Sequence, residues 1–471
     1  MKDYLVKGFI MSVSSLGVGS GILTQDVLDQ LREVDDAAQV TPITLDIANE
    51  EDKEDALDLV DAVMDNLIDS ITELTSSTLY DERISDITGS SVSITADEGT
   101  DVQEFTLDVT VLATAQIEES GAFSAETDLI ATATGTMNIN VNGLDYTIDY
   151  DDTTTLDDLK DAINETAGDS INATVVQITT GEYRLFMSSV ETGTNQDITV
   201  TDDSGFLSDD GGTTAAGTLL TTSMTAVQTA VDAEFTFNGQ AITRESNVIS
   251  DLVTGLEITL EETGSSDVSI EQDRDSLESR FESFVEHYNA AITQLDTLTL
   301  ASTESDERGI FASESLIKNM KSSIVDMFST AGGGVGYMTD YGFDVDEDGK
   351  MTIDLDTLNT AFDDDFDNVQ IFFSGGDFDN GDTTTTTVDG VFTEWQTEIE
   401  AYTESKGTLS QFSDSITDRI STLEDNQLDA TERLDDKYAI LAKIYASYDA
   451  LISRLNSASS MFAQMISTED N

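Results

Sequence analysis

Cysteine is absent from the 471 residues, and its absence removes several kinds of chemistry at once. The chain can form no disulfide bond, bind no iron–sulfur cluster through thiolates and offer no thiol nucleophile. Its single histidine, His287, cannot build a zinc site alone when there is no cysteine beside it. Proline occurs once, at Pro42, so helices and strands can run far without a break.

Basic residues are also scarce. Twenty Lys and Arg stand against 95 Asp and Glu, which gives a net charge of −75. Nucleic-acid binding needs cations to neutralise phosphate, so this charge excludes nucleic acid as a partner. It also disfavours anionic membrane surfaces. Repulsion between the carboxylates of so acidic a protein weakens as the salt concentration rises, because salt screens charge. The acidity therefore fits adaptation to a salty habitat, and a generally acidic proteome explains it equally well.

Long apolar runs are missing too. No stretch approaches the roughly 18 apolar residues of a membrane span, so we expect no membrane insertion. At the N-terminus, Lys2 and Lys7 lie around a few apolar residues, but the stretch is short and lacks a convincing cleavage site. We therefore expect that the protein, if it leaves the cell, does not use the general secretory route.

The two ends of the chain carry helical signals. A chain of this length is too long for one core, so we expect two to four domains. Near the N-terminus, apolar residues alternate at spacings of three and four, with a weaker repeat before Pro42. This spacing is typical of the a and d positions of a coiled coil. The N-terminal positions are Leu57, Val60, Met64, Leu67, Ile71 and Leu74.

A longer stripe of the same kind lies near the C-terminus. A helix with so narrow an apolar stripe cannot bury itself alone, so it needs a partner helix. We expect the partner to be the N-terminal heptad of the same chain or of a neighbouring copy. The C-terminal positions are Leu434, Tyr438, Leu441, Tyr445, Tyr448, Ile452, Leu455, Phe462 and Ile466.

Between the helical ends, residues 90–273 alternate in polarity and are rich in Thr and Val, which predicts strands. Asn142-Gly143 and Asn238-Gly239 each separate two alternating runs, and this dipeptide favours a type I′ hairpin turn. Thr155 and Asp158 form the pattern of a capping box that starts a short helix. The sequence therefore predicts an α+β, multidomain fold, in which a long helical coiled-coil leg from both termini carries inserted β-rich head domains.

Single residues and short motifs give few signs of chemistry. Asp344, Asp346 and Asp348, followed by Gly349, begin like a calcium loop, but position twelve is Leu355 rather than a bidentate Glu. A turn between two strands explains the same string, so these residues are only a weak metal candidate. We predict no catalytic residue and no cofactor, and we interpret residues 383–387 as an exposed loop. Three residues are expected to hold the head module together: Phe235, Phe237 and Asn247.

Several stretches, taken together, resemble a known family. Their order and spacing are similar to those of the flagellar filament caps, the hook-associated protein 2 family, from Ser14 to about Ile466. The most specific stretch is Asp232–Gly239, and Ala162-Ile163-Asn164 ends a unit that resembles the IN module of flagellin and hook proteins. The other stretches are Ser14–Gly21, Asp108–Ala113, Gly342–Gly349 and Phe372-Phe373.

The resemblance implies a division of the chain. In the family the opening comes close to the initiator, so Met11 is a better start than Met1. The expected parts are a start-site extension (1–10), an N-terminal helical leg (11–85), the first part of an inner β head domain (86–125), an outer β head domain with the IN-like module (126–225), the second part of the inner domain (226–275) and a C-terminal helical leg (276–471).

The resemblance also implies a role. Family members are non-enzymatic scaffolds at the distal tip of the flagellum, outside the cell, exported by the flagellar type III apparatus. They promote flagellin insertion and filament elongation and prevent loss of exported flagellin. The implied partners are other copies in a ring of a few subunits, flagellin, hook–filament junction proteins and an export chaperone. Two other interpretations stay open: another flagellar axial or junction protein, and an acidic surface adhesin active in cell adhesion.

Overall fold

The structure is a computed structural model that describes residues 21, 24–207, 224–304, 307–329, 336–379 and 384–469, with side chains up to residue 465. The chain forms two compact units, the described parts of 1–76 with 278–471 (unit 1) and of 77–277 (unit 2). The helices are α1 Gln25–Gln39, α2 Thr41–Thr75, α3 Ser77–Tyr80, α4 Leu156–Ala167, α5 Arg274–Thr299, α6 Ser315–Asp326, α7 Leu355–Ser374, α8 Val391–Thr403 and α9 Thr408–Glu469.

The strands form small antiparallel sheets in both units. They are β1 Arg83–Thr88, β2 Val92–Ala96, β3 Gln103–Val111, β4 Ile117–Glu119, β5 Gly135–Val141, β6 Leu144–Tyr150, β7 Ile171–Thr179, β8 Glu182–Ser189, β9 Thr199–Asp202, β10 Thr225–Gln228, β11 Ala233–Phe237, β12 Gln240–Arg244, β13 Val248–Ile249, β14 Leu256–Leu260, β15 Gly264–Gln272, β16 Phe343–Val345, β17 Met351–Ile353, β18 Gly375–Asp379 and β19 Thr385–Asp389.

Unit 1 is built around a cluster of buried aromatic side chains. Phe284 of α5 lies 4.8 Å from Phe392 of α8, and Phe392 stacks on Phe373 of α7 at 5.3 Å, measured between ring centroids. Trp395, the sole tryptophan of the chain, is 1% exposed in the same cluster. Aromatic packing of this kind fixes the three helices against one another.

Unit 2 contains two hydrophobic cores. The inner core lies between the sheets β1-β15-β3-β11-β12 and β13-β14-β2. Phe235 is buried in it, and the ring of Phe237 stacks on that of Phe105 at 4.8 Å. The side-chain amide of Asn247 accepts from the backbone N–H of Ala113 and donates to its carbonyl, at 2.8 and 2.9 Å. These three side chains thus lie where the inner core and its loops meet.

The outer core lies between the sheets β10-β4-β8-β7 and β6-β5-β9, with helix α4 packed against it. The capping box predicted at the start of α4 is confirmed: Thr155 Oγ1 accepts from the N–H of Asp158, and the Asp158 carboxylate accepts from the N–H of Thr155. This reciprocal pair satisfies two backbone donors of the first turn.

The local predictions of turns, of the proline position and of one loop have different outcomes in the structure. Both Asn-Gly turns are confirmed, because Asn142 and Asn238 have φ of 51° and 49° and each joins two paired strands. Pro42 lies in the first turn of α2, where its missing N–H is tolerated. The loop predicted at 383–387 is wrong from residue 385 onward, since Thr385–Asp389 pairs with Gly375–Asp379; Thr side chains suit a strand. The α+β, multidomain class is confirmed, while the finer domain boundaries stay predictions.

Among the described residues, no helix has a stretch long and apolar enough to cross a bilayer.

Candidate assembly surface on the terminal helices

The N-terminal heptad lies entirely inside unit 1. Its residues share one side of α2, and none has more than 2% of its surface exposed. This side of α2 packs against α8 and α9. The partner that the spacing requires is therefore supplied within the chain. The buried positions are Leu57, Val60, Met64, Leu67, Ile71 and Leu74.

Helix α9 runs antiparallel to α1 and α2, and polar contacts fix the register. Thr417 Oγ1 donates to Glu54 at 3.3 Å, and Gln427 Nε2 donates to Thr44 Oγ1 at 2.7 Å. Further along α9, Asp435 accepts from the guanidinium of Arg32 at 2.6 Å. Each step toward the N-terminus of α1 is thus a step toward the C-terminus of α9.

A buried charge lies in this seam. Glu50 of α2 is only 5% exposed, and its carboxylate contacts Lys53 Nζ at 3.0 Å and Arg419 Nε of α9 at 3.4 Å. A polar group inside a helical seam favours the register that gives it partners. The heptad pattern did not reveal Glu50, because a lone acidic residue among 95 carries no signal of burial.

A second cluster joins α1 to α9. The carboxylate of Asp35 accepts from Lys437 Nζ at 2.6 Å and from the Tyr438 hydroxyl at 2.7 Å. The Lys437 hydrogen bond, with that of Tyr438, holds the pKa of Asp35 below its usual value. Desolvation and the hydrogen bond to Asp35 raise the pKa of Tyr438 to about 12. Arg32 lies over the Tyr438 ring, 5.7 Å from its centroid.

The C-terminal stripe changes environment along α9. Leu434 is buried, and Tyr438, Leu441 and Tyr445 are half-buried. Beyond them Tyr448, Leu455 and Phe462 are 56%, 61% and 65% exposed, and Ile452 is half-buried. The side chain of Ile466 lies outside the described residues. Of the predicted stripe, only the part that faces α1 is covered by described residues.

More of α9 is apolar and exposed than the stripe predicted. A second row lies beside it at spacings of four, seven and ten, which places its members on one adjoining strip of the helix. Single exposed apolar residues need no explanation, but a contiguous row marks an interaction site. We call the exposed parts of both rows the open α9 face. It consists of Ile440, Ile444, Tyr448, Leu451, Leu455, Met461, Phe462 and Met465.

The weak calcium candidate has a structural use. Asp346 Oδ1 accepts from the backbone N–H groups of Asp348 and Lys350, at 2.9 and 2.8 Å, and so closes the turn between β16 and β17. Asp344 Oδ1 accepts from the N–H of Val345. In the part of the chain that the structure describes, no three His, Cys, Asp or Glu side chains are grouped to hold a metal ion.

Comparison with protein families gives three matches. The family model described as "Flagellar hook-associated protein 2 C-terminus" matches residues 230–457, and its N-terminal counterpart matches residues 20–116. The "Flagellin hook IN motif" matches residues 136–190. Together the first two models cover well over half of the chain.

Curated relatives carry the same description. The flagellar hook-associated protein 2 of Campylobacter jejuni is 29% identical over 77% of this chain, and that of Escherichia coli K12 is 26% identical over 98%. The alignments span 64% of the Campylobacter protein, 36% of a 29% identical Helicobacter pylori protein and 99% of the E. coli protein.

A solved structure shares the fold. The crystal structure of the D1-D2-D3 domains of the flagellar cap protein FliD from E. coli has a TM-score of 0.58 at 22% identity. The structural alignment covers 77% of this chain and 99% of the E. coli chain. The likeness extends to both helical and β-rich parts, since no single part makes up that share of the chain.

Proposed function

The chain belongs to the flagellar hook-associated protein 2 family, and from that premise we propose that it caps the distal end of a flagellar filament. In this role it promotes the insertion of flagellin, supports filament elongation and limits the loss of exported flagellin. The role requires positioning and release of protein subunits, and no catalytic step. The solved E. coli relative is described as a flagellar cap protein, which supports this assignment.

The observation that carries the proposal is the open α9 face. A helix that presents a long apolar row is suited to lie in a groove between other helices. Beyond Tyr445, α9 extends to Glu469, about 24 residues or roughly 36 Å at 1.5 Å per residue. We infer that this segment acts as the end of a leg, and that the open α9 face packs against neighbouring copies in the ring as well as among the helices at a filament tip.

The same proposal includes partners and a route. Copies of the chain associate head to tail in a ring of a few subunits, since a heterologous contact closes into a ring when its rotation permits. Flagellin and hook–filament junction proteins supply the surface on which the legs stand. The protein reaches the tip through the flagellar type III apparatus, accompanied to it by an export chaperone. The chain holds no disulfide that would resist threading.

The test is deletion of the gene in its own organism, followed by re-expression. The wild-type chain is expected to restore long filaments and to remove flagellin from the medium. Leu455→Asp places a charge on the open α9 face and is expected to restore neither. Leu45→Asp is the matched control, because Leu45 is similarly exposed (65% against 61% for Leu455) but lies on α2.

Two outcomes would contradict the proposal. Full filaments in the deletion strain would show that the chain is not needed for capping. Normal rescue by Leu455→Asp would show that the open α9 face is not the surface used.

A further inference from the structure

Strand β7 forms one edge of the sheet β10-β4-β8-β7 in unit 2. Its nine residues, Ile-Asn-Ala-Thr-Val-Val-Gln-Ile-Thr, include no charged side chain. Edge strands are commonly protected from other chains by charges, proline or a cover. The edge strands β1 and β6 follow this rule, with Arg83 and Asp86 on β1 and Asp145 and Asp149 on β6.

One part of the β7 edge is covered from within the chain. The side chain of Asn164, on α4, accepts from the N–H of Ala173 at 2.8 Å and donates to its carbonyl at 2.9 Å. Ala173 therefore points its backbone groups away from β8. Because alternate residues of an antiparallel strand face the same way, the next outward groups belong to Val175 and Gln177. Among the described residues, no group bonds to these two on their outward side.

Side chains in the second half of β7 are exposed to solvent as well. Val176 and Ile178 are 39% and 47% exposed, and Thr174 is exposed beside them. A bulge between Gln177 and Thr179 ends the regular pairing with β8. A bulge disturbs the ladder where it occurs, so the regular part of the open edge is short and centred on Val176.

We propose that this edge pairs with β7 of a second copy of the chain. With a net charge of −75, two copies repel one another over most of their surface, and an uncharged strand is a place where they can approach. The strand also complements itself. In an antiparallel pair centred on Val176, Val175 of each copy exchanges N–H···O bonds with Gln177 of the other.

The side chains fit the same register. Val176 then faces Val176 of the other copy across a non-hydrogen-bonded pair, where side chains approach most closely. Thr174 faces Ile178 on both flanks. Such a two-fold contact closes after two copies, so it is distinct from the head-to-tail contact that a ring requires. It joins two subunits, or two assemblies, through their outer β cores.

The absence of cysteine makes a direct test possible. In a pair of Val176→Cys chains, the Cα atoms of the two cysteines would lie about 4.5 Å apart. This separation is within the 4.4–6.8 Å range of Cα–Cα distances across a disulfide. Diamide oxidation of the full-length variant at pH 8 is expected to give a covalent dimer. The matched control is Val190→Cys, because Val190 is also exposed (50%) but follows β8 beside Ser170, far from the centre of the pair.

The expected result is that the Val176→Cys chain forms dimer about tenfold faster than the control, since pairing holds its thiols together. The rate should rise with NaCl, because salt screens the repulsion between copies. Gln177→Pro added to Val176→Cys removes an outward N–H without touching the core, and should reduce the rate to that of the control.

Two results would overturn the proposal. One is a Val176→Cys rate no greater than that of Val190→Cys at every salt concentration. The other is an unchanged rate in the Gln177→Pro background, with circular dichroism showing the same melting temperature. Filament capping in cells is a separate readout, so failure of the strand pairing leaves the proposed function untouched.

Discussion

The stripe on α2 and the stripe at the end of α9 follow the same three–four spacing, yet one is buried and the other is open. Met64 and Leu67 have no exposed surface, whereas Leu455 and Phe462 are more than half exposed. The difference lies in which helices pack against each stripe. Among the described residues, α2 packs against α8 and α9, while α9 continues beyond the part that contacts α1. A heptad therefore shows that a helix needs a partner, and not which chain supplies it.

The two stripes should respond in opposite ways to the same kind of substitution. Truncation of a buried residue removes packing from the free protein, so its effect appears in stability. Truncation of an exposed residue leaves the free protein intact, so its effect appears only when a partner is present. Substitutions at Leu67, Lys53 and Asp35 test this contrast, with progressively smaller expected changes in stability.

The largest change is expected for Leu67→Ala on α2. Leu67 is fully buried, and removing a buried leucine side chain lowers the free energy of unfolding by about 2–5 kcal/mol. Urea unfolding followed by the fluorescence of Trp395 measures this, because Trp395 is the sole tryptophan and lies in the core of unit 1. Leu455→Ala is the matched control and should change the free energy by less than about 0.5 kcal/mol. Equal losses in both variants would abolish the contrast.

A smaller change is expected for Lys53→Met. Lys53 contacts the buried carboxylate of Glu50, and a buried charge that loses a partner lowers stability by about 1–3 kcal/mol. The same urea titration measures the loss. Adding Glu50→Gln removes the negative charge that Lys53→Met leaves without its lysine partner. The double variant should therefore be more stable than Lys53→Met alone. If the double variant is less stable than the single one, the carboxylate does not depend on Lys53.

The smallest change is expected for Asp35→Asn at the junction of the covered and open parts of α9. The folded-state pKa of Asp35 lies below its ordinary value, so its stabilising effect is present above about pH 4 and is lost as pH falls through the folded pKa. Hydrogen exchange of residues 430–445, corrected for intrinsic rate, should therefore rise in the wild type as pH falls below about 4. The variant should exchange faster at neutral pH and show less of this pH dependence. Identical profiles would mean that Asp35 does not hold α1 to α9.

The elements that the sequence predicted best are those fixed by local chemistry. Asn142-Gly143 needs positive φ, and Thr155 with Asp158 satisfies the first turn of a helix, so neighbouring residues suffice to determine each. The heptad of α2 was predictable for a similar reason, because its spacing alone defines a face. These features required no knowledge of the rest of the fold.

The features that were missed depend on contacts distant in sequence. Glu50 is buried where α2 meets Arg419 of another helix, and the strand at Thr385–Asp389 pairs with Gly375–Asp379. The second row of the open α9 face, such as Ile440 and Leu451, lies beside the three–four stripe, so the heptad spacing alone does not predict it. The helical spacing of Ile440, Ile444 and Leu451 is the sequence signal that indicates this row.

The most direct test of the open α9 face is the mass of the purified protein by light scattering over a range of concentrations in molar NaCl. The wild type and Leu45→Asp are expected to form oligomers larger than a dimer as concentration rises, and Leu455→Asp is expected to lose them while keeping its melting temperature. Masses for Leu455→Asp equal to those of the wild type at every concentration would contradict the assignment of this face to assembly.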